Sequence, residues 1–170
     1  VRAVPGVTVL DDEGAALNPL GFVPAVVIGN VMAESPAEDA GFEPGDIVAS
    51  FDGISWPTAD ELQKAVQKSS GRKMRATVRR GDQTVLLEGI QANDANIIGV
   101  GMEVLFDEPI VAGVLADRPA AALGLAKGSR LTAVAGVSIE DWYGLQRVLE
   151  TVAAETEEGV ATTLTVGYEL

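Results

Sequence analysis

The stretch Ser35-Pro36-Ala37-Glu38-Asp39-Ala40-Gly41-Phe42-Glu43-Pro44-Gly45-Asp46-Ile47, with Phe51-Asp52-Gly53 just beyond it, is dense in structural punctuation. Ser35 can cap a helix, Pro36 suits its first position and Glu38 its third, so a helix opens here. Gly41 follows one turn later as a left-handed stop, which makes the helix short. Glu43-Pro44-Gly45-Asp46 is turn chemistry, Ile47–Phe51 reads as a strand, and Asp52-Gly53 is a hairpin turn. Upstream, Ala25–Val31 is a β-branched strand run. Downstream, Thr58-Ala59-Asp60-Glu61 is a second capping box, opening a helix to about Ser69 whose residues Ala59, Leu62, Ala65 and Val66 share one apolar face. Arg75–Arg79 and Thr84–Leu87 flank Arg80–Gln83 as a hairpin.

The same order occurs twice. Ile28–Val66 set over Val111–Leu149, at an offset of 83 and without gaps, gives 10 identities in 39 positions. Three glycine pairs (41/124, 45/128, 53/136) and the prolines at 36 and 119 fall in register, which predicts two homologous units. The second contains strands at Ile98–Val104 and Pro109–Leu115, a short helix near Pro119, a strand at Arg130–Val134, a helix capped by Asp141 and a strand at Thr163–Tyr168. The domain reading is therefore a lead-in at 1–19, one unit at 20–92 and another at 93–170. The returning strand of the last hairpin is missing from the second unit. Either Val4–Leu10 fills the vacancy or another chain does, and with Val1 in first place the chain reads as an excised segment.

Composition narrows the chemistry. The 170 residues contain 25 acids, 12 Lys/Arg, no histidine and no cysteine. Histidine-based nucleophile systems, two-histidine zinc motifs, disulfides and thiolate metal sites are excluded. A formal charge of −13 argues against nucleic acid and against an anionic membrane surface. No apolar run reaches the ~18 residues needed to span a bilayer. The imbalance is concentrated in 93–170, with 12 acids against 4 bases, compared with 10 against 7 in 20–92.

No catalytic constellation emerges, and neither a metal nor a cofactor is expected. Asp11-Asp12-Glu13 lacks the alternate spacing and glycine of a calcium loop, and Glu155-Thr156-Glu157-Glu158-Gly159 reads as an exposed connection. Gly99-Val100-Gly101 lacks the third glycine of a dinucleotide loop. Asp46 and Asp52 are accounted for by their turns.

The stretch quoted first closely resembles the signature of bacterial PDZ domains, and the resemblance extends over both repeats. Leu20-Gly21-Phe22 and Ile98-Gly99-Val100 match the x-Gly-apolar loop of that family. The second unit departs from the pattern, with Arg118, Ser129 and Ala135 in place of the capping serine, the turn aspartate and the hairpin aspartate. The resemblance implies a mixed α+β fold: two small, mostly antiparallel, partly open β-barrels or sandwiches, each with two helices. It also implies binding of peptide or protein C-termini and extended segments by strand addition, with loop amides receiving a carboxylate. For the first unit it assigns Leu20, Gly21 and Phe22 to the loop and Ala59, Leu62, Gln63 and Val66 to the facing helix. For the second it assigns Ile98, Gly99 and Val100, with Trp142, Leu145, Gln146 and Leu149. Leu62, Val66, Leu145 and Leu149 are accounted for more readily as core than as groove, because a helix needs an apolar face for packing whether or not it binds anything, and Trp142, standing where the first unit has Ala59, could fill the second groove.

The tandem arrangement and the Asn96-Ile97-Ile98-Gly99-Val100 opening look like the periplasmic, extracytoplasmic insert of site-2 intramembrane zinc metalloproteases. That resemblance implies a non-catalytic module regulating substrate access to a membrane-embedded parent. The alternatives are the PDZ tail of a high-temperature-requirement-type serine protease and a protease-independent scaffold.

Overall fold

The computed structural model of the protein describes residues 2–7, 20–155 and 162–170, of which 2–7 and 162 are described as backbone only. Twelve strands and three α-helices are found among them. They form two compact units, one of residues 25–105 and one of residues 1–24 with 106–170. The expected boundaries at 19/20 and 92/93 therefore fall inside units rather than between them.

The continuous unit holds β3 (Val26–Val31), α1 (Pro36–Asp39), β4 (Ile47–Phe51), β5 (Ile54–Ser55), α2 (Ala59–Lys68), β6 (Met74–Arg80), β7 (Gln83–Ile90) and β8 (Val100–Val104). Its antiparallel sheet runs β7-β6-β4-β3-β8, with β5 on β4. Local chemistry sets the elements as the residues predict. Ser35 Oγ accepts the Glu38 amide at the start of α1, and Thr58 and Glu61 form the reciprocal capping box of α2. Asp52 and Gly53, at φ +49° and +86°, make the two-residue turn between β4 and β5. Fully buried Phe51, Ile28, Val48, Val78 and Ile90 centre the core, which Leu62 and Val66 of α2 cover.

The discontinuous unit repeats this plan with β9 (Ile110–Val114), a 3₁₀ helix (Pro119–Leu123), β10 (Ser129–Val134), β11 (Val137–Ser138), α3 (Trp142–Glu155) and β12 (Thr162–Glu169). Its antiparallel sheet runs β1-β12-β10-β9-β2, where β1 is Arg2–Val7 and β2 is Phe22–Pro24. The vacancy beside the last strand is filled from the N-terminal end: β1 pairs with β12 from Arg2↔Val166 to Val7↔Thr162. The core is again closed, around Leu20, Leu123, Leu131, Val134 and Val166. Asp11-Asp12-Glu13 and residues 156–159 lie outside the described residues.

The strand exchanged between the repeats has a simple cause. An antiparallel hairpin needs a loop of about two residues or more, and only Ala25 separates β2 from β3. β2 therefore cannot fold back on β3, and it pairs with β9, Phe22 opposite Val114. The edge of β3 is taken by β8, from Val26↔Val104 to Val31↔Val100.

Candidate functional site

Each unit ends its sheet in an edge strand preceded by an x-Gly loop, and each loop is clasped in the same way. In the continuous unit the Gly99 carbonyl accepts the Met32 amide at 2.8 Å and the Ile98 carbonyl accepts that of Ala37 at 2.8 Å. In the other, Gly21 accepts from Leu115 at 2.8 Å and Leu20 from Ala120 at 3.0 Å. The donors Met32/Leu115 and Ala37/Ala120 are related by the repeat offset of 83. Both glycines have positive φ, +87° at Gly99 and +84° at Gly21. A Cβ at Gly99 would overlap the Ser35 side chain, and one at Gly21 the Arg118 side chain, again a pair at the repeat offset.

The loops thus keep their expected form but exchange helices. Ile98, Gly99 and Val100 face Leu62, Gln63 and Val66 of α2, together lining a groove of about 320 Å³ with Gln67, Met102 and the loop from Ala95 to Ile97. Leu20 and Phe22 instead pack in one core with Trp142, Leu145 and Leu149 of α3. The pairing of Gly21 and Phe22 with α2, and of Gly99 and Val100 with α3, is corrected by the strand exchange. Ala59 lies at the exposed N-terminus of α2 and does not line the groove.

The groove beside α2 has an apolar floor and a backbone rim. Leu62, Val66 and Ile98 are buried, Val100 and Met102 half-buried, and Ile97 stands exposed at the mouth. Asn93 Oδ1 accepts the amides of Ala95 and Ile97 at 3.0 Å each, holding the approach to Ile98 in a tight turn. The carbonyls of Ile98 and Gly99 are engaged, but among the described residues no acceptor meets their amides. Two adjacent N–H groups next to a left-handed glycine form a small anion-binding concavity. Among the described residues β8 pairs with β3 alone, which leaves its other edge to accept a strand.

The equivalent position in the discontinuous unit is filled. Trp142 stands where α2 has Ala59, and its ring meets Phe22 at a centroid distance of 6.3 Å. Both residues are buried. The edge strand β2 is three residues long and ends in Pro24, which has no amide to donate. Gln146, facing the groove by resemblance, donates to Glu150 at 2.9 Å instead.

Two charged pairs brace the unit that carries the groove. Asp46, fully buried, accepts Arg80 Nε at 2.7 Å and Nη2 at 2.9 Å as well as the Glu43 amide at 2.9 Å. Asp52 forms a two-point pair with Arg72 at 2.8 and 2.6 Å, which holds its carboxyl below the ordinary range. Sequence reading assigned both aspartates to turns and missed the arginines, 34 and 20 residues away.

Residues 27–80 match the family model of the PDZ domain. The match runs from β3 to β6 and lies within the continuous unit. A candidate zinc metalloprotease of Brucella suis biovar 1 (strain 1330) is 38% identical over 64 residues, 38% of this chain and 17% of that protein. A candidate CtpA-like serine protease of Staphylococcus haemolyticus (strain JCSC1435) is 37% identical over 60 residues, 34% of this chain and 12% of the relative. The matched part thus spans less than a fifth of either relative. Among solved structures, the PDZ domain of the SdrC-like protein from Listeria monocytogenes has 19% identity and a TM-score of 0.38, covering 46% of this chain and 87% of its own.

Proposed function

We propose that the chain is a non-catalytic peptide-recognition module in which the PDZ domain of residues 25–105 is the receptor and the other unit is its structural companion. The observation that carries this reading is the pair of amides at Ile98 and Gly99, which meet no acceptor among the described residues, set at the head of an apolar groove beside the edge of β8 that no described strand occupies. A ligand strand adds to β8, its terminal carboxylate meets the two amides, and its last side chain enters among Leu62, Val66 and Ile98. Phe22, Trp142 and Pro24 argue for a second groove that is closed to ligands.

The parent we infer is a membrane-embedded site-2-type zinc metalloprotease whose substrate access this tandem pair regulates from the extracytoplasmic side. The metalloprotease relative supports it. The CtpA-like relative favours a second reading, a recognition segment of a serine protease.

Titration of the full chain with a peptide library bearing free or amidated C-termini tests the groove. Free carboxylates should bind several-fold tighter and shift the Ile98, Gly99 and Val100 amide resonances. Equal affinity for the two forms would sink the carboxylate site.

A further inference from the structure

We propose that the stacked pair Phe106–Tyr143, flanked by Asp107 and Glu140, is a docking point for an arginine side chain on an extended segment of a partner protein. Trp142 donates its amide to the Phe106 carbonyl at 3.1 Å, fastening the segment before β9 to the first turn of α3. The rings of Phe106 and Tyr143 consequently meet at 5.2 Å and 23°. They are 45% and 51% exposed, so the stack is open to solvent. Four carboxylates belong to the two joined segments. Asp141 caps α3 by accepting the Gly144 amide at 2.5 Å, and Glu108 lies 4.0 Å from Arg130. Asp107 and Glu140 are exposed and have no hydrogen-bond or ion-pair partner among the described residues. Arg147, one turn further along α3, lines a different hollow with Val137 and Ser138.

Exposed aromatic faces with unpaired carboxylates close by in sequence, Asp107 next to Phe106 and Glu140 three residues before Tyr143, select a cation that can also stack. The guanidinium is planar and weakly hydrated, whereas an ammonium is compact and strongly hydrated. The segment of residues 106–170 that carries both rings has 10 acids against 4 bases, which favours approach of a basic segment. The site is independent of the carboxylate groove, and the probe is chosen to avoid that groove.

The test is an NMR titration of the full chain with an N-acetylated, C-amidated hexapeptide carrying two arginines among glycines and serines. Saturable shifts centred on Phe106 and Tyr143 are expected, with binding about five- to tenfold weaker when citrulline replaces arginine. Tyr143→Leu, and separately the pair Asp107→Asn with Glu140→Gln, should each weaken binding several-fold. The control pair Asp82→Asn with Asp117→Asn removes the same charge elsewhere and should leave affinity unchanged. Absence of saturable shifts, shifts centred elsewhere, equal binding of the citrulline peptide, or equal weakening by the control pair each overturns the proposal.

Discussion

The Gly21 carbonyl accepts the Leu115 amide at 2.8 Å, tying a residue near the N-terminal end of the chain into the unit built mainly from residues 106–170. Each loop therefore serves the repeat other than the one that follows it in sequence. Gly99→Val should abolish peptide binding at the α2 groove, since it strains a backbone at φ +87° and drives a side chain into Ser35. Gly21→Val should perturb the resonances of Arg118, Leu123 and Leu131 while leaving peptide affinity within about twofold, because sites without shared partners act independently. Paired amide spectra and peptide titrations decide it. Loss of binding in the Gly21 variant would return that loop to α2.

Most of this fold is legible in short-range chemistry. Capping serine and threonine, the Asp52-Gly53 turn and the 83-residue offset locate α1, α2 and the hairpins without reference to distant residues. What escapes is pairing at long range. The single residue between Pro24 and Val26 was the available signal that β2 cannot turn back on β3, yet hydrophobic patterning merges Ala25 into the strand. The Arg80–Asp46 pair escapes for a related reason: a buried aspartate and a turn aspartate look alike until the strand bringing its arginine is placed. The filling of one groove by Trp142 was readable from its position opposite Ala59, but its contact with Phe22 required the exchanged strand.

Asp46 and Arg80 make a test of buried charge. Arg80→Ala leaves a fully buried carboxylate with only the Glu43 amide, and should cost about 3 kcal/mol, the lower end of the range for breaking a buried pair, because Arg80 retains 29% exposure. In the other unit Ser129 stands in place of Asp46, and its hydroxyl donates to the Ala126 carbonyl at 2.8 Å. By ladder register Leu170 stands where Arg80 does. Asp46→Ser combined with Arg80→Leu should therefore recover much of the loss, seen in urea unfolding followed by the methyl signals of Val48 and Val78. A double variant as unstable as Arg80→Ala would reject that equivalence.

Asp52 should give the continuous unit an acid-sensitive component. The hydrogen bond from Arg72 lowers its pKa below the ordinary 3.8, outweighing partial burial, which acts in the opposite direction. A depressed folded-state pKa contributes stability that is present above 3.8 and lost as pH falls through the lower folded value. The contribution is small because Arg72 is 57% exposed and screened by solvent. In a carboxyl-detected titration, Arg72→Gln should move the Asp52 midpoint upward and remove this part of the pH dependence. An unmoved midpoint would show that the contact does not persist in solution.

Trp142 separates filling from capping. It is 7% exposed, packs on Phe22 at 6.3 Å, and its buried indole N–H has no acceptor among the described residues. Trp142→Ala removes a large buried side chain and should cost about 3–5 kcal/mol in the discontinuous unit. Trp142→Phe keeps a ring against Phe22 and also removes an unsatisfied donor, whose burial carries a penalty of its own, so its cost should stay below about 1.5 kcal/mol. The methyl signals of Leu164 and Val166 report this unit's unfolding, and those of Val48 and Val78 should be unmoved. If Trp142→Phe proves as damaging as Trp142→Ala, the indole N–H has a partner in solution, and the closed groove must be re-read as one held shut by a hydrogen bond.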